Sequence, residues 1–201
     1  MSHEFWDKVY DSETYIYGTE VNDYIKEKFK VFPKNAELLE IACGEGRNAC
    51  YLADYGMKVT AIDISGKGIS KLNKLAEEKN LLITGIEADF LTYPFEKKFD
   101  VILCTFFHLP KEERTFFYNK VKSILKTGGF FLAEWFHPDQ RKKGYNSGGP
   151  PDPALMLTVE ELNRTFLDYE ILHLEKKERE LQEGTHHRGK ASVVQFLSRK
   201  V

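Results

Sequence analysis

At 201 residues the chain is long enough for one domain with a sizeable core and too short for two comfortable ones. The 29 Lys and Arg against 31 Asp and Glu leave a formal net charge of −2, which argues against a nucleic-acid partner, since phosphate binding needs a basic face. No run approaches the about 18 consecutive apolar residues of a membrane span, and the start MSHEFWDKVYDSETY lacks the basic and apolar blocks of a secretory signal, so a cytoplasmic home is expected. Cys43, Cys50 and Cys104 form neither a disulfide framework nor a zinc-ligand spacing, and no metal site is expected.

Residues 1–35 read as a helical segment rich in aromatics. From there to Phe136 short apolar runs alternate with helix-like segments, the pattern of parallel strands joined by crossover helices. The strand candidates are Glu37–Ala42, Lys58–Asp63, Ile83–Asp89, Phe99–Cys104 and Phe130–Trp135, apolar enough to be covered on both faces. Ile69, Leu72, Leu75 and Ala76 follow Ser65, an N-cap candidate, at helical spacing; Phe117, Val121, Ile124 and Leu125 repeat that period.

After Trp135 the stretch HPDQRKKGYNSGGPPDPA reads as a loop over 137–157 with no regular element, its Gln140–Pro153 part being either a lid or a disordered surface loop. A short helix over Thr158–Phe166 follows. Two strand-like runs, Tyr169–Glu175 and Ala191–Leu197, then form a closing antiparallel hairpin around the charged KKERELQEGTHHRGK. The expected fold is α/β, a three-layer sandwich: a mostly parallel, twisted, seven-stranded sheet with helices on both faces, all in one domain over 1–201.

The run LEIACGEGRN places a strand before a Gly-x-Gly turn and a helix, so that backbone amides can face a bound anionic group without Cβ interference. Gly44, Gly46 and Ala49 satisfy the G-x-G-x-x-A dinucleotide fingerprint, and Asp63, nineteen residues after Gly44, can accept from ribose hydroxyls. An adenosyl or a dinucleotide cofactor explains both features equally well.

The same residues resemble the class I, Rossmann-like methyltransferases that use S-adenosylmethionine and release S-adenosylhomocysteine. The likeness runs from Glu40 to Gly46, with Ala42 where glycine is commoner, through Asp63, the ADF of Ala88–Phe90, FDVILCTFFH and the Gly128–Gly129 turn to the terminal hairpin, which a dinucleotide dehydrogenase does not need. It implies a cofactor site made by Glu40, Cys43, Gly44, Gly46, Arg47, Asp63, Ile64, Ala88, Asp89, Phe90, Cys104 and Thr105. Within it Gly44 and Gly46 lie beside the methionine part, Asp63 on the ribose, Asp89 and Phe90 around the adenine, and Cys104 and Thr105 near the sulfonium. The segment FWDKVYDSETYIYGTEVNDYI is similar to that of the small tellurite-resistance and thiopurine-type methyltransferases. That likeness implies Trp6, Tyr17 and Thr19 over the cofactor and Tyr10 toward the acceptor; the alternative is an amphipathic helix packed on the sheet.

The acceptors this group implies are small: an oxyanion such as tellurite or selenite, a thiol or a heterocycle. His108, at the mouth of the fourth strand, is either a general base or an organiser of its loop. His186, His187 and Arg188 either donate to an oxyanion or form a solvated turn. Expected function is methyl transfer to a small molecule by a monomer or homodimer. The alternatives are a non-catalytic adenosyl-binding module and a nicotinamide-dependent oxidoreductase.

Overall fold

The computed structural model describes residues 2–201. After a capped helix α1 (His3–Tyr10) and α2 (Asp23–Lys28), strands and helices alternate: β1 (Glu37–Ile41), α3 (Arg47–Asp54), β2 (Lys58–Asp63), α4 (Gly66–Glu78), β3 (Ile83–Glu87), β4 (Phe99–Thr105), α5 (Lys111–Ile124) and β5 (Leu125–Phe136). The chain continues through α6 (Asp139–Lys142), α7 (Val159–Thr165), β6 (Tyr169–Glu183) and β7 (His187–Lys200). The seven strands form one sheet in the order β3-β2-β1-β4-β5-β7-β6. The first five are parallel, while β7 runs antiparallel to β5 and β6 antiparallel to β7. The expected three-layer α/β sandwich is therefore what the chain forms.

Strand alternation assigns the two faces. Leu39, Ile102 and Phe131 point to the layer holding Phe117 and Val121 of α5 and Leu162 of α7. Leu38, Leu103 and Leu132 point the other way, to Ile25 of α2, Leu52 of α3 and Leu72 of α4. The chain direction across the sheet reverses between β1 and β4, and the crevice beyond the carboxyl ends of these two strands is where α/β sheets of this kind bind ligands.

Three expectations need correction. The Gly128–Gly129 turn does not precede the fifth strand. It lies inside β5, where the pairing with β4 slips between Phe99↔Leu125 and Val101↔Phe130, a bulge accommodated by Gly128 at φ +77°. The charged run after Glu175 is strand, because β6 is the sheet edge: its outward side chains are solvated and only its inward side is buried, so charge there blocks edge-to-edge pairing. The loop over 137–157 contains α6 and a 3-10 turn at Pro153–Leu155. Side chains replace the missing ladder there: Arg141 donates to the carbonyls of Tyr145, Gly148, Gly149 and Pro150, and buried Gln140 bonds Ser147, Gly148 and the Ser192 amide.

A buried ionic cluster ties the hairpin to the parallel sheet. Arg179 of β6 donates to Glu134 of β5 at 3.0 Å and to Glu183 at 2.7 Å, and Asn22, the N-cap of α2, donates to both carboxylates. Removing one partner of such a cluster leaves charge stranded out of water. Arg179→Met is expected to lower the unfolding free energy by about 3–5 kcal/mol in urea titrations, and the double variant Arg179→Met, Glu134→Gln to recover part of that loss.

Candidate active site

Three residues of the β1–α3 turn have left-handed backbone: Ala42 at φ +53°, Gly44 at φ +53° and Gly46 at φ +86°. A Cβ on Gly46 would sit 2.5 Å from Leu72, and one on Gly44 would sit 2.8 Å from the Tyr10 hydroxyl. The glycines thus let α3, α4 and α1 converge on the turn. Ala42 holds this conformation with a side chain, at a cost of about 1 kcal/mol. Ala42→Gly is accordingly expected to raise stability by about 1 kcal/mol, read from the shift of the denaturation midpoint.

Three of the turn's amides are taken within the protein. Cys43 N donates to Ile62 O, Gly46 N to Cys43 O, and Gly44 N to Asp63 Oδ2 at 2.8 Å. The other Asp63 oxygen accepts from Ser65 N at 2.9 Å. One carboxylate therefore joins the turns after β1 and β2, and it occupies the position on Gly44 that a phosphate would need. Burial raises the pKa of Asp63 against these amide bonds, which favour the charged form.

A cavity of about 630 Å³ opens along this crevice. Its cradle end is walled by Cys43, Gly44, Arg47, Asp63, Ile64, Ala88, Asp89, Phe90 and Thr105, nine of the sequence-stated cofactor positions. Trp6, Tyr10 and Tyr17 of the N-terminal segment cover it, with the Trp6 and Tyr10 rings stacked at 5.6 Å. Asp7 fixes this cover by accepting from Ser65 Oγ at 2.6 Å. His108 and His186 also reach the wall.

Other expected residues sit elsewhere. Glu40 is buried behind the cradle, where its Oε1 accepts from Asn48 at 2.9 Å and its Oε2 has no partner; burial pushes its pKa up to about 7. Gly46 caps α3 away from the wall, and Cys104 lies within the core, its thiol pKa raised by burial. Thr19 is exposed, and Arg188 turns outward to donate to the Gly184 carbonyl at 2.5 Å.

The far end is made by Phe106, Phe107, Leu109, Phe136, Gly149–Pro151 and His187. Phe106 has φ +56°, a strained position of the kind that collects at functional sites. His108 Nδ1 lies 3.1 Å from Leu155 O; a carbonyl only accepts, so Nδ1 carries the proton and Nε2, buried without a partner, keeps its lone pair. His187 Nδ1 likewise faces Glu183 Oε2 at 3.0 Å, and Glu183 also receives Arg47 at 2.9 Å. Despite burial, these cationic partners and the His187 bond hold the Glu183 carboxyl down to about 2. Nothing local sets His187 above its neighbour His186; that follows only from the β-strand register, which turns His187 inward opposite Glu183.

Residues 38–129 match the family described as methyltransferase domain. The chain is 26% identical over 171 residues to the probable S-adenosyl-L-methionine-dependent methyltransferase TehB of Haemophilus influenzae, covering 82% of this chain and 57% of that protein. It is 30% identical over 158 residues to the ubiquinone biosynthesis O-methyltransferase of Rickettsia akari, covering 74% and 60%. The chain thus spans less than two thirds of the length of either relative. Among solved structures, TehB from Haemophilus influenzae superposes with a TM-score of 0.74 at 23% identity, over 99% of this chain and 67% of that one. A structure concerned with conversion of a disulfide into a thioacetal in echinomycin biosynthesis superposes at 0.79 and 17% identity, over 98% and 92%. The fold is that of the Rossmann-like methyltransferases. Over residues 38–129 the chain matches a methyltransferase domain, and over most of its length it is similar to S-adenosylmethionine-dependent methyltransferases such as TehB.

Burial lowers the His108 pKa to about 4. The unfolded imidazole titrates near 6.5, so between these values the unfolded chain binds the extra proton and stability rises with pH. Stability is therefore expected to be complete above pH ~6.5 and to fall by an amount on the order of 3 kcal/mol as pH drops to about 4. In His108→Phe that slope is expected to be smaller, measured by urea unfolding across the range.

Proposed function

We propose that this chain transfers a methyl group from S-adenosylmethionine to a small acceptor held in the cavity. The observation that carries the reading is the Asp63 carboxylate on the Gly44 amide. It places negative charge where a dinucleotide's pyrophosphate would sit and leaves carboxylate lone pairs for ribose hydroxyls, which favours an adenosyl cofactor over a nicotinamide one.

The chain's own residues fit that cofactor. Gly68 lets α4 close against the cradle turn: a Cβ there would lie 2.9 Å from the Gly44 carbonyl. Asp63 would hold the ribose, and Asp89, whose Oδ1 is fixed by the Leu91 amide at 2.8 Å, would hold the adenine with buried Phe90 beside it. Trp6, Tyr10 and Tyr17 would exclude water from the occupied cradle. Bound S-adenosylmethionine supplies a methyl carbon on a sulfonium, a leaving group good enough that alignment and exclusion of water carry much of the rate. The neutral His108 ring accepts a proton at Nε2, the role of a general base. The Gly149–Pro151 stretch closes the acceptor side as a lid, held by Arg141.

Calorimetric titration with S-adenosylhomocysteine is expected to show one site per chain. Asp63→Ala is expected to weaken it by about 1.5–3 kcal/mol, the range for hydrogen bonds to a charged group. No heat at millimolar cofactor, or unchanged affinity in a folded Asp63→Ala, would remove the reading or its ribose assignment respectively.

A further inference from the structure

The charge and hydrogen-bonding character of the acceptor end point to a class of substrate. Among the described residues, Arg47 is the one lysine or arginine on the cavity wall. It is not free, because Glu183 holds it at 2.9 Å. Four carboxylates share that wall, Glu45, Asp63, Asp89 and Glu113, and of these Glu45 is neutralised by Lys71 at 2.5 Å.

The two buried imidazoles of the far end do not supply the missing positive charge. Their tautomers are fixed by neighbours that accept: Leu155 O for His108 and the Glu183 carboxylate for His187. Each ring therefore spends its N–H on the protein and keeps an Nε2 lone pair. Burial disfavours protonating either ring. Around them stand Phe106, Phe107 and Phe136, with Phe136 stacked on His108 at 5.9 Å and packed edge-on against His187 at 5.4 Å.

We propose, resting on the methyltransferase reading above, that the acceptor is a neutral ring-bearing molecule which donates a hydrogen bond to His108 through the O–H, N–H or S–H that it loses on methylation, and is not an oxyanion such as tellurite or selenite. An oxyanion entering this end gives up its water to meet lone pairs and carboxylates, with no free lysine or arginine among the described wall residues to replace that water. A neutral ring buries apolar surface against the phenylalanines and pairs His108 Nε2, a buried acceptor without a partner. In the reaction the acceptor's heteroatom bonds to the methyl carbon, and the sulfur–carbon bond breaks with its electron pair left on sulfur. The acceptor's proton passes to His108 Nε2 and then to water. That proton becomes acidic as the heteroatom is alkylated, so a weakly basic imidazole suffices.

The test uses the intact protein loaded with S-adenosylhomocysteine, titrated calorimetrically near neutral pH with 2-naphthol, 2-methoxynaphthalene, sodium selenite and sodium tellurite. Products formed from S-adenosylmethionine with the same four compounds are then followed by mass spectrometry. 2-Naphthol is expected to bind about tenfold more tightly than its methyl ether, which lacks the donor, and more tightly than either oxyanion, and to be the one compound methylated. Tighter binding or faster methylation of selenite or tellurite overturns the proposal. So does equal affinity for naphthol and its ether, or no heat from naphthol. In each of those outcomes the heat of loading with S-adenosylhomocysteine leaves the methyltransferase reading standing, whereas no heat of loading removes both.

Discussion

The carboxylate of Glu183 is the interaction on which the site's assembly depends. Its Oε1 receives Asn22 and Arg179, and its Oε2 receives Arg47 and His187. Those donors come from the N-terminal segment, the edge strand β6, the cradle helix α3 and the start of β7. A buried carboxylate is costly unless its lone pairs are filled, and here all are, so none of the four elements can move without stranding charge. The register of the antiparallel pair follows from the same constraint, because Glu183 lies opposite His187 only in the pairing that this structure adopts.

Asp63 plays the corresponding part at the other end of the cavity. By accepting from Gly44 and Ser65 it fixes the two turns whose separation sets the width of the cradle. The same Ser65 side chain caps α4 and donates to Asp7, which also accepts from the Lys67 amide, so the aromatic cover formed by α1 is registered to the cradle through the start of α4. Cradle, cover and hairpin are therefore one connected polar framework set around an aromatic cavity. Its rigidity suits a transfer that depends on alignment more than on strong acid or base groups.

The two ends differ in what they leave unpaired. At the cradle the polar atoms of Asp63 and the backbone are engaged yet retain lone pairs toward the cavity, while at the far end rings dominate and two imidazoles hold back one nitrogen each. Strain concentrates on the border between the ends, at Ala42 and Phe106, the residues that follow β1 and β4 on either side of the point where the sheet reverses. The surrounding ladder holds both in place: Phe106 N donates to Glu134 O at 2.7 Å, and Cys43, next to Ala42, is tied to Ile62 O.

What the sequence by itself determined was everything that is local. Near-continuous apolar runs and stripes with helical spacing located the five parallel strands and the α4 and α5 helices, because burial on both faces or one face writes directly into residue order. The tight turn at Gly44 and Gly46 and the carboxylate of Asp63 at a strand end were legible for the same reason: both are short-range features. The tertiary structure decided what depends on partners far along the chain. The charged run after Glu175 looked like a loop because its polar residues carry no apolar period, yet edge position makes polarity compatible with strand. His187 rather than Arg188 reached the cavity because side chains alternate across the register with β6, and no local signal carries that register. Three amides of the glycine turn, those of Cys43, Gly44 and Gly46, were taken by Asp63 and by carbonyls, two of these bonds forming only when β2 lay beside β1.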